Sequence, residues 1–291
     1  MKFGSVEHPE LINFDLPPDH SGTQKVLPKK RAANFSASVG CAKWNKKELK
    51  GFYPRGTKDE LAYYSTQFNS IELNATFYRD FGFEQMEKWR DKTPDDFRFF
   101  PKIPQMISHI RRLNNVQELT DAFCYSVTGL GSKLGMLFLQ LHDNFGYKNF
   151  ERLSDYITRF PSELPLSIEL RNTEWYNDET ISKELYHLLE ENNVTNIITD
   201  TAGRRDLLHM RLTTPTAFVR YVGANHQSDY SRLDQWVERI IEWHNAGLQK
   251  LYFFVHQNIE EESPLLTAYF IEKLNKALDL DLKVPIMNSI K

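Results

Sequence analysis

The stretch NSIELN, residues 69–74, alternates polar and apolar side chains over the length of one β-strand. Successive side chains of a strand point to opposite faces, so Ile71 and Leu73 share one face while Glu72 and Asn74 share the other. The apolar face is suited to packing under helices. The alternation therefore predicts a strand that carries its carboxylate and amide side chains toward a pocket.

The segment LSIEL, residues 166–170, repeats this alternation and brings Glu169 and Arg171 onto one face. Six more apolar runs have strand length, and their connections are long enough for helices: 36–41, 97–102, 135–141, 194–200, 217–222 and 250–256. Strand–helix alternation eight times over predicts an α/β fold with a parallel sheet closed on itself, a (β/α)8 TIM-type barrel. An open doubly wound sheet is the rival architecture. The first strand is followed by VGCAKW rather than a Gly-rich phosphate loop, which disfavours dinucleotide binding.

Capping residues indicate where several helices begin and end. Thr57–Glu60 forms a capping box, Asp178 and Ser231 can cap later helices, Gly247 can end one, and Pro264 suits a first helical position. Three further helices are predicted at 82–91, 116–132 and 148–160. Short strands and capped helices in alternation support the barrel interpretation.

The length and composition suit one globular domain with an extension. A barrel of this type needs about 250 residues, and the chain has 291, of which 41% are hydrophobic and 26% charged. Residues 1–34 are interrupted by Pro17, Pro18 and Pro28 and have no clear period. We expect them to form an N-terminal extension that wraps the outside of a single domain at 35–291.

The charge and the cysteine count bear on location and partners. The net charge is −3, so no polybasic surface for nucleic acid or membranes is indicated. The N-terminus lacks the apolar core of a secretory signal, and no run approaches the roughly 18 apolar residues of a membrane helix. Cys41 and Cys124 are expected to be free thiols in a reducing compartment. We therefore expect a cytoplasmic protein, with no feature that indicates its oligomeric state.

Polar side chains recur where the predicted strands end, which is where a barrel of this type builds its active site. Burying several charges costs several kcal/mol per ion unless each is paired, which favours a functional reason for the group. The candidate catalytic residues are Glu72, Lys102, Glu169 and Asp200. The candidate substrate-binding residues are Asn74, Tyr78, His109, Gln140, Arg171, Trp175, Arg220 and His256.

Two of these assignments carry alternatives. In the seventh strand either Arg220 or Tyr221 faces inward, depending on the register. Tyr78 and Trp175 suit a platform for a sugar or a base, and packing of the loops above the barrel is the other explanation.

Five segments resemble the domain-of-unknown-function family 72, in the same order and at similar spacing: VGCAKWNKKELKGFYP, YYSTQFNSIELNATFYR, WRDKTPDDFRFFPKIPQMISH, LGMLFLQLHDNF and SIELRNTEWY. The resemblance covers roughly residues 36–275 and implies a TIM-type barrel. It maps the family's recurrent polar positions onto Glu72, Asn74, Thr76, Tyr78, Lys102, His109, Gln140, Glu169, Arg171, Trp175 and Asp200. The family has no established activity, and comparison of its barrel with xylose-isomerase-like and endonuclease IV-like enzymes suggests DNA repair by fold analogy alone.

The chain departs from the family pattern at three places. His142-Asp143-Asn144 stands where the family has a Pro-rich turn. The seventh strand has Arg220-Tyr221-Val222-Gly223 without the family's histidine, and the eighth ends at His256 where the family often has Asn. These changes leave open whether the chain keeps the substrate of its relatives.

The favoured hypothesis is an enzyme that acts on a small anionic or sugar-phosphate-like substrate. Lys102, Arg171 and Arg220 would hold the anion, while Glu72 and Glu169 would serve as general acid and base. Such a pair works best when the pKa of one carboxyl group is raised and that of the other is not, so we expect one glutamate of each kind.

Two alternatives belong to other classes. A metal-dependent, endonuclease IV-like phosphodiesterase acting on DNA would need Glu72, Glu169, Asp200 and His256 to converge on a metal. The third hypothesis is a non-catalytic ligand-binding barrel. No motif requires a cofactor, a bound metal is left open, and a small-molecule partner is favoured over nucleic acid.

Overall fold

The computed structural model describes residues 4–287, and within them eight β-strands all pair in parallel. Each predicted strand is present, with its ends within two residues of the predicted ones. The strands are β1 (Ser36–Cys41), β2 (Ser70–Leu73), β3 (Arg98–Pro101), β4 (Leu137–Gln140), β5 (Leu166–Glu169), β6 (Thr195–Thr201), β7 (Thr216–Gly223) and β8 (Lys250–Gln257).

Ten α-helices alternate with these strands in the described part of the chain. They are α1 (Thr23–Val26), α2 (Glu60–Gln67), α3 (Ala75–Tyr78), α4 (Phe83–Asp91), α5 (Gln117–Val127), α6 (Phe150–Arg159), α7 (Glu174–Asn177), α8 (Glu179–Glu191), α9 (Ser228–Ala246) and α10 (Ser263–Leu278). A π-helix, Met106–Ile110, follows β3. The predicted α/β class is confirmed.

The predicted helix ends are partly confirmed. Asp178 caps α8 by accepting hydrogen bonds from two backbone amides, and Gly247 ends α9 in the left-handed region at φ 114°. Pro264 lies in the first turn of α10. The capping box is displaced, because Asp59 accepts from the Ala62 amide and caps α2 itself.

The helix predicted to start at a Ser231 cap begins earlier. Helix α9 starts at Ser228, and the Ser231 hydroxyl donates to the Ser228 carbonyl inside the first turn. A serine within a helix can bond back in this way, so its presence alone did not locate the helix start.

The strands form one curled six-stranded sheet in the order β1-β8-β7-β6-β5-β4 and one two-stranded sheet, β2-β3. Backbone bonds beyond the named strands join β3 to β4: Ile103 N donates to Phe138 O at 2.9 Å, and Gly135 N donates to Phe99 O at 2.8 Å. The two-stranded sheet therefore lies beside β4, which is the last strand of the curled six-stranded sheet.

Side chains connect β1 to β2. The Asn69 amide accepts from Val39 N at 2.9 Å and donates to Ala37 O at 2.8 Å. The Tyr64 hydroxyl accepts from Cys41 N and donates to the Ser70 carbonyl. Side-chain groups thus satisfy backbone groups that a strand ladder would otherwise pair.

Gly40 of β1 lies close against the backbone of β2. A Cβ atom at Gly40 would lie 2.1 Å from the Ser70 carbonyl oxygen, so any larger residue would push the strands apart.

Two apolar layers flank the sheet. The larger lies between the strands and the helices. The smaller fills the concave side of the sheet with alternate side chains of its strands: Phe100, Met136, Phe138, Ile197, Phe218, Tyr252 and Phe254. Four functional candidates, Lys102, Gln140, Arg220 and His256, each lie two positions beyond one of these residues and so on the same face, toward the carboxyl end.

The described part of the predicted N-terminal extension packs against α9. The Leu16 amide donates to Gln235, and the Asp19 carboxylate pairs with Arg239 and accepts from the Trp243 indole. Leu27 is buried in the larger apolar layer. The outer ends of the two predicted segments, residues 1–3 and 288–291, lie outside the described residues.

Cys41 and Cys124 are both buried and free of disulfides.

Between residues 4 and 287, no helix combines the length and apolar character needed to cross a membrane.

Candidate functional site

Seven polar side chains meet at the carboxyl ends of the strands, above the small apolar layer. We call this group the pocket cluster. Its members are Glu72, Lys102, Gln140, Glu169, Arg171, Arg220 and His256. All seven were candidates from the sequence, and the structure brings them together.

Arg220 lies at the centre of the pocket cluster. Its guanidinium donates to both carboxylate oxygens of Glu72, at 2.8 and 2.7 Å, and also donates to Glu169. Glu72 accepts further bonds from Asn74 Nδ2 at 2.6 Å and lies 3.2 Å from His256 Nε2. Because Arg220 is in phase with Phe218, it faces the pocket, and this decides between the two registers left open for β7.

Gln140 joins two cations at the mouth of the pocket. Its Oε1 atom accepts from Lys102 Nζ at 2.7 Å and from Arg171 at 3.0 Å. Arg171 also donates to Glu169. The Lys102 ammonium lies 4.1 Å above the centre of the Phe77 ring, a cation–π contact.

Both glutamates of the pocket cluster are held ionised. Burial by itself raises the pKa of each carboxyl group, but nearby cations outweigh it. Arg220 and His256 hold the pKa of Glu72 well below its usual range, and Arg171 and Arg220 lower the pKa of Glu169 to about 2. The expectation that one of the two carboxyl groups has a raised pKa is therefore wrong.

Lys102 has a pKa close to neutral pH. Burial, reinforced by the positive charge of Arg220, lowers its pKa to about 7. Burial, with Lys102 next in importance, lowers the pKa of His109 to about 4. Burial also acts to lower the pKa of His256, but Glu72 outweighs it and the pKa is raised. Lys102 is thus suited to exchange a proton at physiological pH.

The π-helix after β3 places His109 beside the pocket. The His109 ring packs edge-on against Phe77, 4.9 Å between centroids, and lies 5.4 Å from the ring of His142. Single π-helical turns are frequent at functional sites. His142, one of the departures from the family pattern, therefore lies next to a predicted substrate-binding residue.

A cavity of about 220 Å³ opens beside Glu72. Asn74 and Tyr78, both predicted to bind substrate, line it together with Trp44. Tyr78 is 72% exposed and lies at the rim. Two aromatic side chains and the Glu72 side chain therefore border the same cavity.

Asp200 lies elsewhere, and its predicted place in the pocket is wrong. Its carboxylate accepts from Arg205, from Arg232 at 2.8 Å and from the Trp236 indole at 2.7 Å. It is in phase with Ile198, as expected, but Ile198 belongs to the layer under the helices.

We call this second group the α9 cluster, and it consists of Asp200, Arg205, Asp229, Arg232 and Trp236. Because Asp200 lies in the α9 cluster, the four-residue convergence on a metal does not form. In the described part of the chain, no group of three or more His, Cys, Asp or Glu side chains is placed to hold a metal ion.

Trp175 also lies outside the pocket. It is fully buried, its indole donates to the Phe145 carbonyl at 2.7 Å, and its ring packs against Phe145 and Phe150. The explanation by loop packing, rather than a ligand platform, is correct for Trp175.

Glu260 is a site residue that the sequence did not single out. Its carboxylate lies 3.8 Å from His256 Nδ1 and accepts from the Ser263 hydroxyl. Glu260 is the first of three consecutive glutamates, so composition alone could not select it. Its spacing of four residues after His256 was the available signal.

The comparisons with known proteins agree with this architecture. The model of a family described as "Protein of unknown function DUF72" matches residues 38–287. The chain is 27% identical to the UPF0759 protein YecE of Escherichia coli K12 over 237 residues, 75% of this chain and 86% of that protein. It is 30% identical to the UPF0759 protein YunF of Bacillus subtilis over 149 residues, 48% and 52% of the two chains.

Two solved structures share the fold. A DUF72 family protein of Thermotoga maritima is similar with a TM-score of 0.69 at 24% identity, over 82% of this chain and 99% of that one. A DUF72 family protein of Enterococcus faecalis V583 is similar with a TM-score of 0.68 at 19% identity, over 85% and 99%.

Proposed function

This chain belongs to the DUF72 family, and from that premise we propose that it is an enzyme acting on a small anionic or sugar-phosphate-like substrate by general acid/base chemistry at the pocket cluster. One observation carries the proposal: Lys102 is a buried amine with a pKa of about 7 beside two guanidinium groups. Acid/base groups are most effective when their pKa lies near the working pH.

The reachable edge of the pocket cluster is cationic. Glu72 and Glu169 are both buried behind Arg220, whereas 13% of the Arg171 side chain is exposed. Lys102 shares the Gln140 oxygen with Arg171. An anion that enters from solvent therefore meets Arg171 first and Lys102 behind it, in surroundings of low dielectric where charge-assisted hydrogen bonds are strong.

The two glutamates are positioning residues in this proposal. Held ionised by Arg220, they fix its guanidinium and, through Glu169, the side chain of Arg171. Lys102 takes the role of proton donor and acceptor that the sequence pattern had suggested for the glutamates. We expect turnover to depend on one ionisation near pH 7.

A closed (β/α)8 barrel is part of the same proposal. The Tyr64 and Asn69 side chains join β1 to β2, and the bonds from Ile103 and Gly135 join β3 to β4, at the two places where the ladder is interrupted. Closure would explain why the ends of β2, β5 and β7 converge on one pocket. A cytoplasmic location with both thiols reduced completes the proposal.

Calorimetric titration with inorganic phosphate and a panel of small sugar phosphates tests anion binding. We expect Arg171→Gln to weaken phosphate affinity about tenfold, roughly 1.4 kcal/mol. Arg152→Gln is the matched control, since Arg152 lies in a separate groove between α5 and α6. Absence of binding to every compound, or equal affinity in Arg171→Gln, would contradict the proposal.

Non-catalytic ligand binding is the alternative that a specific observation favours. Both carboxylates are already saturated by arginine, so neither Glu72 nor Glu169 is free to act as a base. The two functions differ in turnover: an enzyme converts a compound that binds, and conversion falls in Lys102→Met. A binding protein returns the compound unchanged.

A further inference from the structure

We propose that Lys102 is a nucleophile that captures a carbonyl carbon of the substrate as an imine, which makes the substrate class a small anion carrying an aldehyde or ketone group. The inference rests on the proposed function, because Arg171 has to hold the anionic end of the same molecule. It adds the chemical class of the other end.

The Lys102 amine has an unusual set of neighbours for a buried lysine. Its Nζ atom donates one hydrogen bond, to Gln140, and a second side of the amine faces the Phe77 ring. In the described residues, no carboxylate lies within salt-bridge distance of this Nζ atom. The amine thus has one hydrogen-bond acceptor, and the charges of Glu169 and Glu72 act on it only through space.

Lys133 shows what a structural buried lysine looks like in the same protein. It is as buried as Lys102, with 6% of each residue exposed. Its Nζ atom donates to the carbonyls of Arg90 and Thr93 and lies 3.8 Å from the Asp95 carboxylate. Three oxygen atoms therefore stabilise the Lys133 ammonium, whereas Lys102 has a single amide oxygen.

The cations around Lys102 favour its neutral form. Arg220 stands opposite the amine in the pocket cluster, and Arg171 shares its acceptor. A lysine next to another cation and packed on an apolar surface loses its proton more readily and exposes a lone pair. With a pKa lowered to about 7, the neutral, nucleophilic amine of Lys102 is accessible at neutral pH.

The proposed step balances without an oxidant or a cofactor. The Lys102 lone pair forms a bond to the carbonyl carbon, and the carbonyl π electrons move to oxygen. The resulting carbinolamine loses that oxygen as water, which carries away the two hydrogens of the amine, and a C=N bond forms. Glu169, ionised behind Arg220, stabilises the positive charge when the imine is protonated.

Reductive trapping on the full chain tests this step. The probes are dihydroxyacetone phosphate and pyruvate, each with sodium cyanoborohydride, which converts an imine to a stable secondary amine. We expect one adduct per chain, mapped by peptide mass spectrometry to Lys102 and absent from Lys133. Half-maximal trapping should fall near pH 7, and inorganic phosphate should suppress it by competing for Arg171.

The outcomes separate this inference from the proposed function. Adducts spread over exposed lysines, or no adduct while phosphate still binds, would overturn the imine and leave anion binding standing. No adduct together with no phosphate binding would overturn both. The mapping uses the natural chain, so it does not depend on the folding of a variant; Lys102→Arg, if folded, should give no adduct.

Discussion

The pocket cluster and the α9 cluster are both built from buried arginines and carboxylates, the first at the carboxyl ends of the strands on their concave side and the second between β6 and α9. In the α9 cluster, Arg232 bonds to Asp200 and Asp229, and its guanidinium lies 4.4 Å from the ring centres of both Phe14 and Tyr221. Every face of that guanidinium is covered. In the pocket cluster, the cations at the mouth keep an edge toward solvent.

The two clusters also differ in charge balance. The α9 cluster pairs two carboxylates, Asp200 and Asp229, with two arginines. The pocket cluster sets two carboxylates against two arginines and adds Lys102 and His256, and the Glu260 carboxylate lies beside His256. Burial and ion pairing therefore do not by themselves indicate function; the pocket cluster differs in its partly exposed edge at Arg171 and His256.

The largest expected effect is a loss of stability when one charge is removed from the α9 cluster. Asp200→Asn leaves Arg232 and Arg205 buried with one charged partner fewer, and removing one member of a buried pair typically costs about 3–5 kcal/mol. Urea unfolding measures the change. Asp96→Asn, at an exposed position, is the control and should leave the unfolding free energy unchanged.

The folded fraction of Asp200→Asn should bind phosphate with natural affinity. The α9 cluster serves stability in this comparison, so a variant of natural stability that had lost phosphate binding would reverse the assignment of the two clusters.

A smaller effect of opposite direction is expected from Lys102→Met. The folded-state pKa of Lys102, about 7, lies below the value of about 10.4 in an unfolded chain. Burial of the charged amine therefore lowers the unfolding free energy below pH 7. Between about pH 7 and 10 the unfolded state binds more protons than the folded state, so the unfolding free energy rises with pH. We expect a gain of roughly 1–3 kcal/mol at pH 6 that shrinks by pH 9.

Urea unfolding of the natural chain and of Lys102→Met at both pH values measures this gain. A gain that is the same at pH 6 and pH 9 would mean that the amine is not destabilised by its charge. In this respect the pocket cluster would then resemble the α9 cluster.

The smallest expected effect concerns His256, whose contribution to the unfolding free energy changes with pH in the opposite direction to that of Lys102. Its pKa is raised in the folded state, chiefly by Glu72 against the effect of burial. Its contribution to stability is present below the unfolded pKa of about 6.5 and is lost as pH rises through the folded value. His256→Asn should lower the unfolding free energy by about 1 kcal/mol or less at pH 5.5 and by less at pH 8.5. Equal losses at both pH values would show that the imidazolium is not the stabilising form.

Much of the site could be predicted from β2 and β5, because clean alternation fixes which side chains share a face. Strand β6 lacks this alternation: polar residues at Thr199 and Asp200 follow two successive isoleucines, so its phase could not be chosen from sequence. The buried position of Trp175 could not be predicted from neighbouring residues either. The carbonyl that accepts its hydrogen bond belongs to Phe145, 30 residues earlier in the chain.

The sequence by itself determined where the strands and most helices lie, because period, capping and turn residues act over a few neighbouring positions. Tertiary structure alone decided the protonation behaviour of the site. Arg220 comes from β7, 148 residues after Glu72 and 51 after Glu169, and its charge keeps both carboxyl groups ionised. A pKa depends on charges close in space, and only folding brought Lys102 beside that guanidinium.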